Sequence, residues 1–299
     1  LGSGGASATV CAVLEELGAE SVRVLSRNGQ GGYGDITPYK DAQIIVNATP
    51  VGMYPRNGAA AVDLRDFPQC EGVLDVVYNP ARTALLLQAE ALGIKNAGGL
   101  YMLVAQAKRS AELFTGSSID DAEIPRIRAL MNSRMQNIVL IGMPGSGKST
   151  AAARLGAALG REVNDSDEYI AAATGETPAQ IIEGRGEAEF RRCETAALAE
   201  LGKRSGLIIA TGGGAVKRAE NRVLMKQNGY VAYIERDVEK LATDGRPLSA
   251  GGAERLKKLF DERDGLYRSV ADRCFPVAEN PDKCAEEIVK GFGFERKNG

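Results

Sequence analysis

Histidine does not occur anywhere in the 299 residues. Its absence removes His-based nucleophile triads, His-ligated metals and imidazole acid–base chemistry together, leaving carboxylates, lysine, tyrosine and backbone dipoles as the working groups. The five cysteines (Cys11, Cys70, Cys193, Cys274 and Cys284) are odd in number and include no C-x-x-C pair. That pattern fits reduced thiols in a cytoplasmic setting better than a disulfide framework. No long basic run is present and the formal charge is −2, so neither nucleic acid nor an anionic membrane is expected as a partner. No apolar stretch approaches the roughly 20 residues that a membrane-spanning helix needs. A starting methionine is lacking too, and we read the opening LGSGGAS as beginning inside a domain. What is present, 44% apolar and 25% charged residues over this length, suits two globular domains.

The strongest local signal runs from Asn137 to Thr150, NIVLIGMPGSGKST. Ile138, Val139, Leu140 and Ile141 read as a buried parallel strand. TAAARLGAALG then has helical spacing, with Ala151, Leu155, Ala158 and Leu159 on one side and Gly160 as the stop. Between them lies Gly142-x-x-x-x-Gly147-Lys148-Ser149. A loop of this kind turns successive N–H groups inward at a helix N-terminus, where donors and dipole both favour phosphate. Gly145, Ser146, Gly147, Lys148, Ser149 and Thr150 are therefore expected to hold a nucleoside triphosphate, with Lys148 on the outer phosphates and Ser149 on magnesium.

The first half opens with a glycine-rich turn, a helix with the stripe Val10, Val13, Leu14 and Leu17, and an apolar run, SVRVL, read as a strand. Turn, helix and second strand make the start of a dinucleotide-binding unit. The carboxylate that would bind a ribose 2′-hydroxyl is replaced by Ser26-Arg27, which suits a 2′-phosphate and so NADP. Strands at 43–49 and 73–78 and helices at 83–92 and 100–114 follow, an alternation that means a parallel α/β sheet.

Three segments here, Asn47-Ala48-Thr49-Pro50-Val51-Gly52-Met53, Asp75-Val76-Val77-Tyr78-Asn79-Pro80 and Gly98 to Ala107, resemble the cofactor domain of shikimate dehydrogenase. The resemblance implies that Gly4, Gly5, Ala6, Ser26 and Arg27 hold NADP and that the Asn47–Met53 loop and Gly99 flank its nicotinamide. Tyr78 and Gln106 would contact the dehydrogenase substrate. In that family a separate N-terminal domain supplies the catalytic Lys and Asp, and no counterpart appears here, so no dehydrogenase activity is expected from this polypeptide. Most of the central strand that precedes the glycine turn is also missing, which is expected to leave its two neighbours with unpaired ladder groups. After Gly116 a loop and a last short helix, 124–131, lead to the P-loop strand, with Met135 placed where a free-standing P-loop domain could begin translation. The boundary is placed near 133, giving a Rossmann-type domain at 1–132 and a P-loop, nucleoside-monophosphate-kinase-like α/β domain at 133–299.

Three features narrow the second half. Asp165-Ser166-Asp167 follows a short strand, so its carboxylates face different directions, one toward a metal and one toward another ligand; an acidic helix start is the plainer alternative. Arg191, with Glu194 on the stripe of its own helix, and Arg263, amid Leu256, Leu259, Phe260, Leu266 and Val270, lie where an unpaired charge is costly. Glu194 can pair with Arg191, whereas Arg263 has no carboxylate on its stripe and awaits either a substrate carboxylate or a tertiary salt bridge. Finally, Gly212-Gly213-Gly214 lets a ligand approach bare backbone, and Thr243 to Gly252 reads as a polar lid carrying Arg246.

Together G-x-P-G-S-G-K-S-T, D-S-D, E-F-R-R-x-E, G-G-G, R-P-L and R-x-x-L-Y resemble shikimate kinase over essentially the whole second half. That resemblance implies ATP and shikimate as small-molecule partners, Mg²⁺ as the metal, and a kinase half that is monomeric. Asp165 would hold magnesium through water, and Asp167 would bind the acceptor hydroxyl, with the role of base open to it. Arg191, Arg263, Gly213 and Gly214 would bind shikimate, Glu194 would order Arg191, and Arg246 would steady the transferring phosphoryl group. The segment Lys240–Gly245 is short and lacks the arginine that often packs on adenine in this family; Asn280-Pro281 would form the other side of that pocket. A kinase for another acceptor such as gluconate, or a nucleotide-sensing module without turnover, are the competing readings.

Overall fold

The structure, a computed structural model, describes residues 1–27, 32–33, 35–241, 252–276 and 281–292. The chain divides into two compact units, Leu1–Met131 and Asn132–Gly299.

In the first unit α1 (Gly5–Glu16) precedes β1 (Ile44–Asn47), β2 (Gly72–Asp75), α2 (Ala84–Ala91), β3 (Lys95–Gly98) and α3 (Leu100–Thr115), and α4 (Glu123–Met135) leads out of it. The strands form a parallel sheet in the order β1-β2-β3, with Ile45 opposite Val73 and Val73 opposite Asn96. Val73 turns into a core with Ile45, Leu64, Phe67, Leu85 and Leu86. Asp75, on the same face, is buried, and burial raises its pKa against the hydrogen bonds that it accepts from Thr83, Val77 and Asn47. One carboxylate thus fastens the end of β1, the loop after β2 and the Thr83 cap of α2.

Two expectations fail in this unit. Ser21–Leu25 is not a strand; only Leu25 makes an isolated bridge. Nor does the α1 stripe close on a core, since Val13 is 47% and Leu17 77% exposed. The cause is common to both. A cavity of about 550 Å³ lies beneath α1, lined by Val10, Cys11 and Leu14 from the helix, Val22–Leu25, and Ile44–Val46. Along it, among the described residues, the outer edge of β1 meets Leu1, whose amine donates to Val46 O and whose carbonyl accepts from Ala48 N–H, while Gly2 N–H reaches Leu25 O. Strand-forming residues without a neighbour have no ladder to join. The last helix before the joint is also longer than expected, reaching Met135.

The second unit is a parallel sheet with helices on both faces. Its elements are β4 (Asn137–Ile141), α5 (Lys148–Leu159), β5 (Val163–Asp165), α6 (Ser166–Thr174), α7 (Pro178–Arg185), α8 (Glu187–Lys203), β6 (Ile208–Ala210), α9 (Ala219–Asn228), β7 (Gly229–Glu235), α10 (Val238–Leu241), α11 (Gly252–Val270), β8 (Arg273–Pro276) and α12 (Pro281–Gly291). Strand order is β5-β6-β4-β7-β8. Successive residues of central β4 enter opposite layers: Val139 and Ile141 join Ile209, Tyr233 and Tyr267, whereas Ile138 and Leu140 join Ala151, Leu155 and Ile288. All the parallel strands end on one side, where the loops after β4, β5 and β6 gather.

Candidate active site

The loop after β4 is shaped by glycine where nothing else fits. Gly142, Gly145 and Gly147 have φ of +149°, +80° and +95°. A Cβ on Gly142 would lie 2.6 Å from Ile234 O, so β7 passes directly behind the loop. Lys148, 9% exposed, folds its Nζ back to donate to Gly142 O at 3.0 Å and Met143 O at 2.8 Å. Ser146 is fully buried with its Oγ unpartnered, and Ser149 and Thr150 are exposed on the first turn of α5. Arg236, which the sequence did not single out, reaches the loop from the end of β7 and donates to Gly145 O at 3.3 Å.

Asp165 ends β5 and caps α6, its Oδ1 accepting from Asp167 N–H at 2.9 Å. Its Oδ2 accepts from Ser149 Oγ at 3.3 Å, so a hydroxyl and a carboxylate, hard oxygen donors, meet beside the glycine loop. That donor set fits magnesium. Asp167 points elsewhere. Its Oδ1 is buried without a partner, 3.2 Å from where a Cβ of Gly212 would be. Burial raises its pKa first, the charge of Asp165 second, with Lys148 and Arg191 pulling the other way.

Opposite stands the loop Thr211–Gly214 after β6. Gly212 N–H donates to Ser166 Oγ at 3.0 Å. A Cβ on Gly213 would lie 2.7 Å from Pro144 Cδ, and one on Gly214 within 2.5 to 2.8 Å of the Arg191 guanidinium. Only bare backbone lets the β6 loop touch the phosphate loop and an arginine fork together. Arg191 forms a forked pair with fully buried Glu194, at 3.1 and 3.0 Å, and a second with Glu187 at 3.0 Å. Burial pushes the Glu194 carboxyl up, opposed by the Arg191 charge. Asn221 at 3.4 Å and Arg218, which donates to Arg191 O at 3.1 Å, support this pair; no sequence pattern announced either.

Arg263 is 9% exposed on α11. Its Nη1 donates to Gly213 O at 3.2 Å and its Nε is buried without a partner. Among the described residues no carboxylate comes within ion-pair distance of it. The tertiary salt bridge therefore does not form there, and the guanidinium keeps donors for something else. Asp167, Arg191 and Arg263 thus gather around the Gly212–Gly214 loop, which itself meets the phosphate loop at Pro144. Arg246 lies outside the described residues, as does Asn280; Pro281 begins α12.

In the first unit the proposed cofactor positions cluster by topology. Asn47 ends β1, Tyr78 follows β2, and Gly99 follows β3 and begins α3, all on the carboxyl side of a parallel sheet. Gly99 is obligatory, since a Cβ there would sit 2.0 Å from Val76 O. Gly4, Gly5 and Ala6 are exposed at the start of α1, Arg27 is exposed, and Ser26 is 4% exposed with an unpartnered Oγ. The Asn47 side chain does not face a ligand: at 1% exposure it donates to Asp75 and Val51 O and accepts from Thr49, so it shapes its loop from inside. Tyr78, 43% exposed, and Gln106 both face solvent.

Comparison with known proteins falls on this geometry. A model of the family "Shikimate kinase" matches residues 144–292. The shikimate kinase of Chromohalobacter salexigens is 43% identical over 164 residues, covering 52% of this chain and 91% of that protein. Among solved structures, shikimate kinase from Acinetobacter baumannii in complex with shikimate is 37% identical, covers 54% of this chain and 95% of that one, and gives a TM-score of 0.51. A shikimate dehydrogenase from Peptoclostridium difficile is 31% identical, with a TM-score of 0.40, covering 44% of this chain and 52%, about half, of that protein.

Proposed function

Through its second half the chain belongs to the shikimate kinase family, and from that premise we propose that it transfers the γ-phosphoryl group of ATP to the 3-hydroxyl of shikimate. The observation that carries this reading is Arg263. It is a buried guanidinium with an unpartnered Nε, set on the same glycine loop as the unpartnered Oδ1 of Asp167. An acceptor bearing both a carboxylate and a hydroxyl satisfies the two at once.

In this reading Gly145, Ser146, Gly147, Ser149 and Thr150 cradle the nucleotide, and Lys148 exchanges its loop carbonyls for phosphate oxygens. Ser149, and Asp165 through water, would hold magnesium, which would neutralise charge on the phosphates. Arg191, ordered by Glu194, and Arg263 clamp the acceptor carboxylate, and the amides of Gly213 and Gly214 fix its ring. Asp167 then receives the hydroxyl proton as the nucleophile forms, with its pKa raised toward that task. By the family resemblance Arg246 would steady the transferring phosphoryl group and Pro281 would border the adenine. Positioning supplies most of the rate in such transfers. For residues 1–132 we propose an NADP-binding unit of the shikimate dehydrogenase kind, supported by its three motifs and by the glycine that only bare backbone satisfies at position 99. Residues 133–299 form the kinase domain, and both substrates are small molecules.

The test is ADP release from ATP and Mg²⁺ with and without shikimate. Release should depend on shikimate, vanish in Lys148→Ala, and in Arg263→Ala require roughly a hundredfold more shikimate, the worth of a lost charge-assisted fork. Unchanged shikimate dependence in Arg263→Ala points to a different acceptor, and ADP release indifferent to shikimate removes the assignment.

A further inference from the structure

The Gly213 carbonyl takes two donors. Arg263 Nη1 approaches it at 3.2 Å, and the hydroxyl of Tyr267, one helical turn further along α11, donates to the same oxygen. Tyr267 is fully buried and cannot swing away, because its ring stacks on Tyr233 with centroids 5.0 Å apart and planes inclined by 26°. Tyr233 is pinned in turn, its hydroxyl donating to Asp264 Oδ1 at 2.9 Å, while Arg268 donates to Asp264 Oδ2 at 2.8 Å. The phenol of Tyr267 stays a donor, since burial pushes its pKa up to about 12.

A trans peptide points its carbonyl and the following N–H in opposite directions. Fixing Gly213 O toward α11 therefore fixes Gly214 N–H on the opposite side of that peptide, while the Arg191 guanidinium lies beside the Gly214 Cα. Among the described residues neither Gly213 N–H nor Gly214 N–H donates a hydrogen bond, although Gly214 is buried. A carbonyl oxygen has two lone pairs, here taken by Tyr267 and by Arg263 Nη1; the guanidinium also lies beside the Tyr267 phenol, and its buried, unpartnered Nε is left for a ligand.

We propose that Tyr267 is a positioning residue for the acceptor site: it anchors the Gly213 carbonyl, so aiming Gly214 N–H at an acceptor oxygen and leaving Arg263 Nε for the acceptor carboxylate. This rests on the shikimate kinase reading and adds to it a residue that never touches substrate. Tyr267→Phe keeps the ring and the stack and deletes one hydroxyl. The variant should need about tenfold more shikimate for half-maximal rate, the worth of one hydrogen bond, with KM for ATP unchanged and kcat within about threefold. A purely structural role would move the ATP and shikimate constants together and lower the melting temperature. That pattern, or an unchanged shikimate KM, overturns the proposal. A second measurement needs no variant: in the ¹⁵N-labelled wild-type chain, saturating shikimate should shift the Gly214 amide and slow its exchange, and a Gly214 signal indifferent to shikimate is equally decisive against it. Failure of the reading itself looks different, as wild-type protein that releases no ADP in response to shikimate.

Discussion

Asp167 pairs a catalytic opportunity with a structural cost in one side chain. Its Oδ1 is out of water with nothing to accept from, and burial and the neighbouring Asp165 both favour its protonated form. A carboxyl whose pKa is higher in the folded than in the unfolded state stabilises the fold most below the unfolded pKa. That contribution is lost as pH rises through the folded value, so at neutrality Asp167 is a liability. Asp167→Asn should raise the melting temperature at neutral pH, by on the order of 1 kcal/mol of stability, while lowering kcat by about a hundredfold or more. Calorimetry and steady-state rates on one preparation decide it, and a variant both less stable and fully active refutes the account. The wild-type kcat/KM should also fall on the acid side with a midpoint above that of an ordinary aspartate. Asp167 and Arg263 were legible from sequence because a charge within an acidic pair or on an apolar stripe is a local anomaly. Tyr267 was not, although it closes the R-x-x-L-Y motif, because its role depends on a carbonyl 54 residues away.

At the level of elements, β4, the glycine loop and α5 are the part of the fold most fully written in the sequence. Four apolar residues in succession, three glycines at positive φ and a helix with small residues on its inner face each satisfy a local rule. Gly142 is the tightest of them. An alanine there would have to keep φ near +149° with its Cβ 2.6 Å from Ile234 O and 2.9 Å from Ser146 Oγ. Gly142→Ala should therefore cost about 1–3 kcal/mol and displace the loop from β7, raising KM for ATP at least about tenfold. Urea midpoints and ATP titrations check both, and wild-type values in each would show that the loop tolerates the methyl group. Ser21–Leu25 is the opposite case. Its alternation suits a strand, but strand formation depends on a neighbour, and the cavity beside β1 supplies none. The α1 stripe fails for the same reason. α7 escaped notice because its cue is a capping box at Thr177 and Gln180 and not a long apolar stripe.

For the whole molecule, the two units carry cores of unequal quality. The second sheet is covered on both faces, with Val139, Ile141 and Tyr233 in one layer and Ile138, Leu140 and Ala232 in the other. The first has a core of short reach around Val73 and Leu85, a cavity of about 550 Å³ under α1 and, among the described residues, a β1 outer edge that pairs at Leu1 alone. Cooperative unfolding follows buried apolar contact, so calorimetry of the intact chain should resolve two transitions, the lower belonging to Leu1–Met131. Ligands separate them. A ligand that binds only the folded state at a hundred times its Kd adds about 2.7 kcal/mol, worth several degrees in a domain of this size. A non-hydrolysable ATP analogue with Mg²⁺ and shikimate should lift the upper transition and leave the lower where it was. NADP should do the reverse if Gly4, Gly5, Ala6, Ser26 and Arg27 form its site, and a lower transition insensitive to NADP removes that part of the proposal. A single transition that moves as one under either ligand would mean that the units unfold together, against the inequality of their cores.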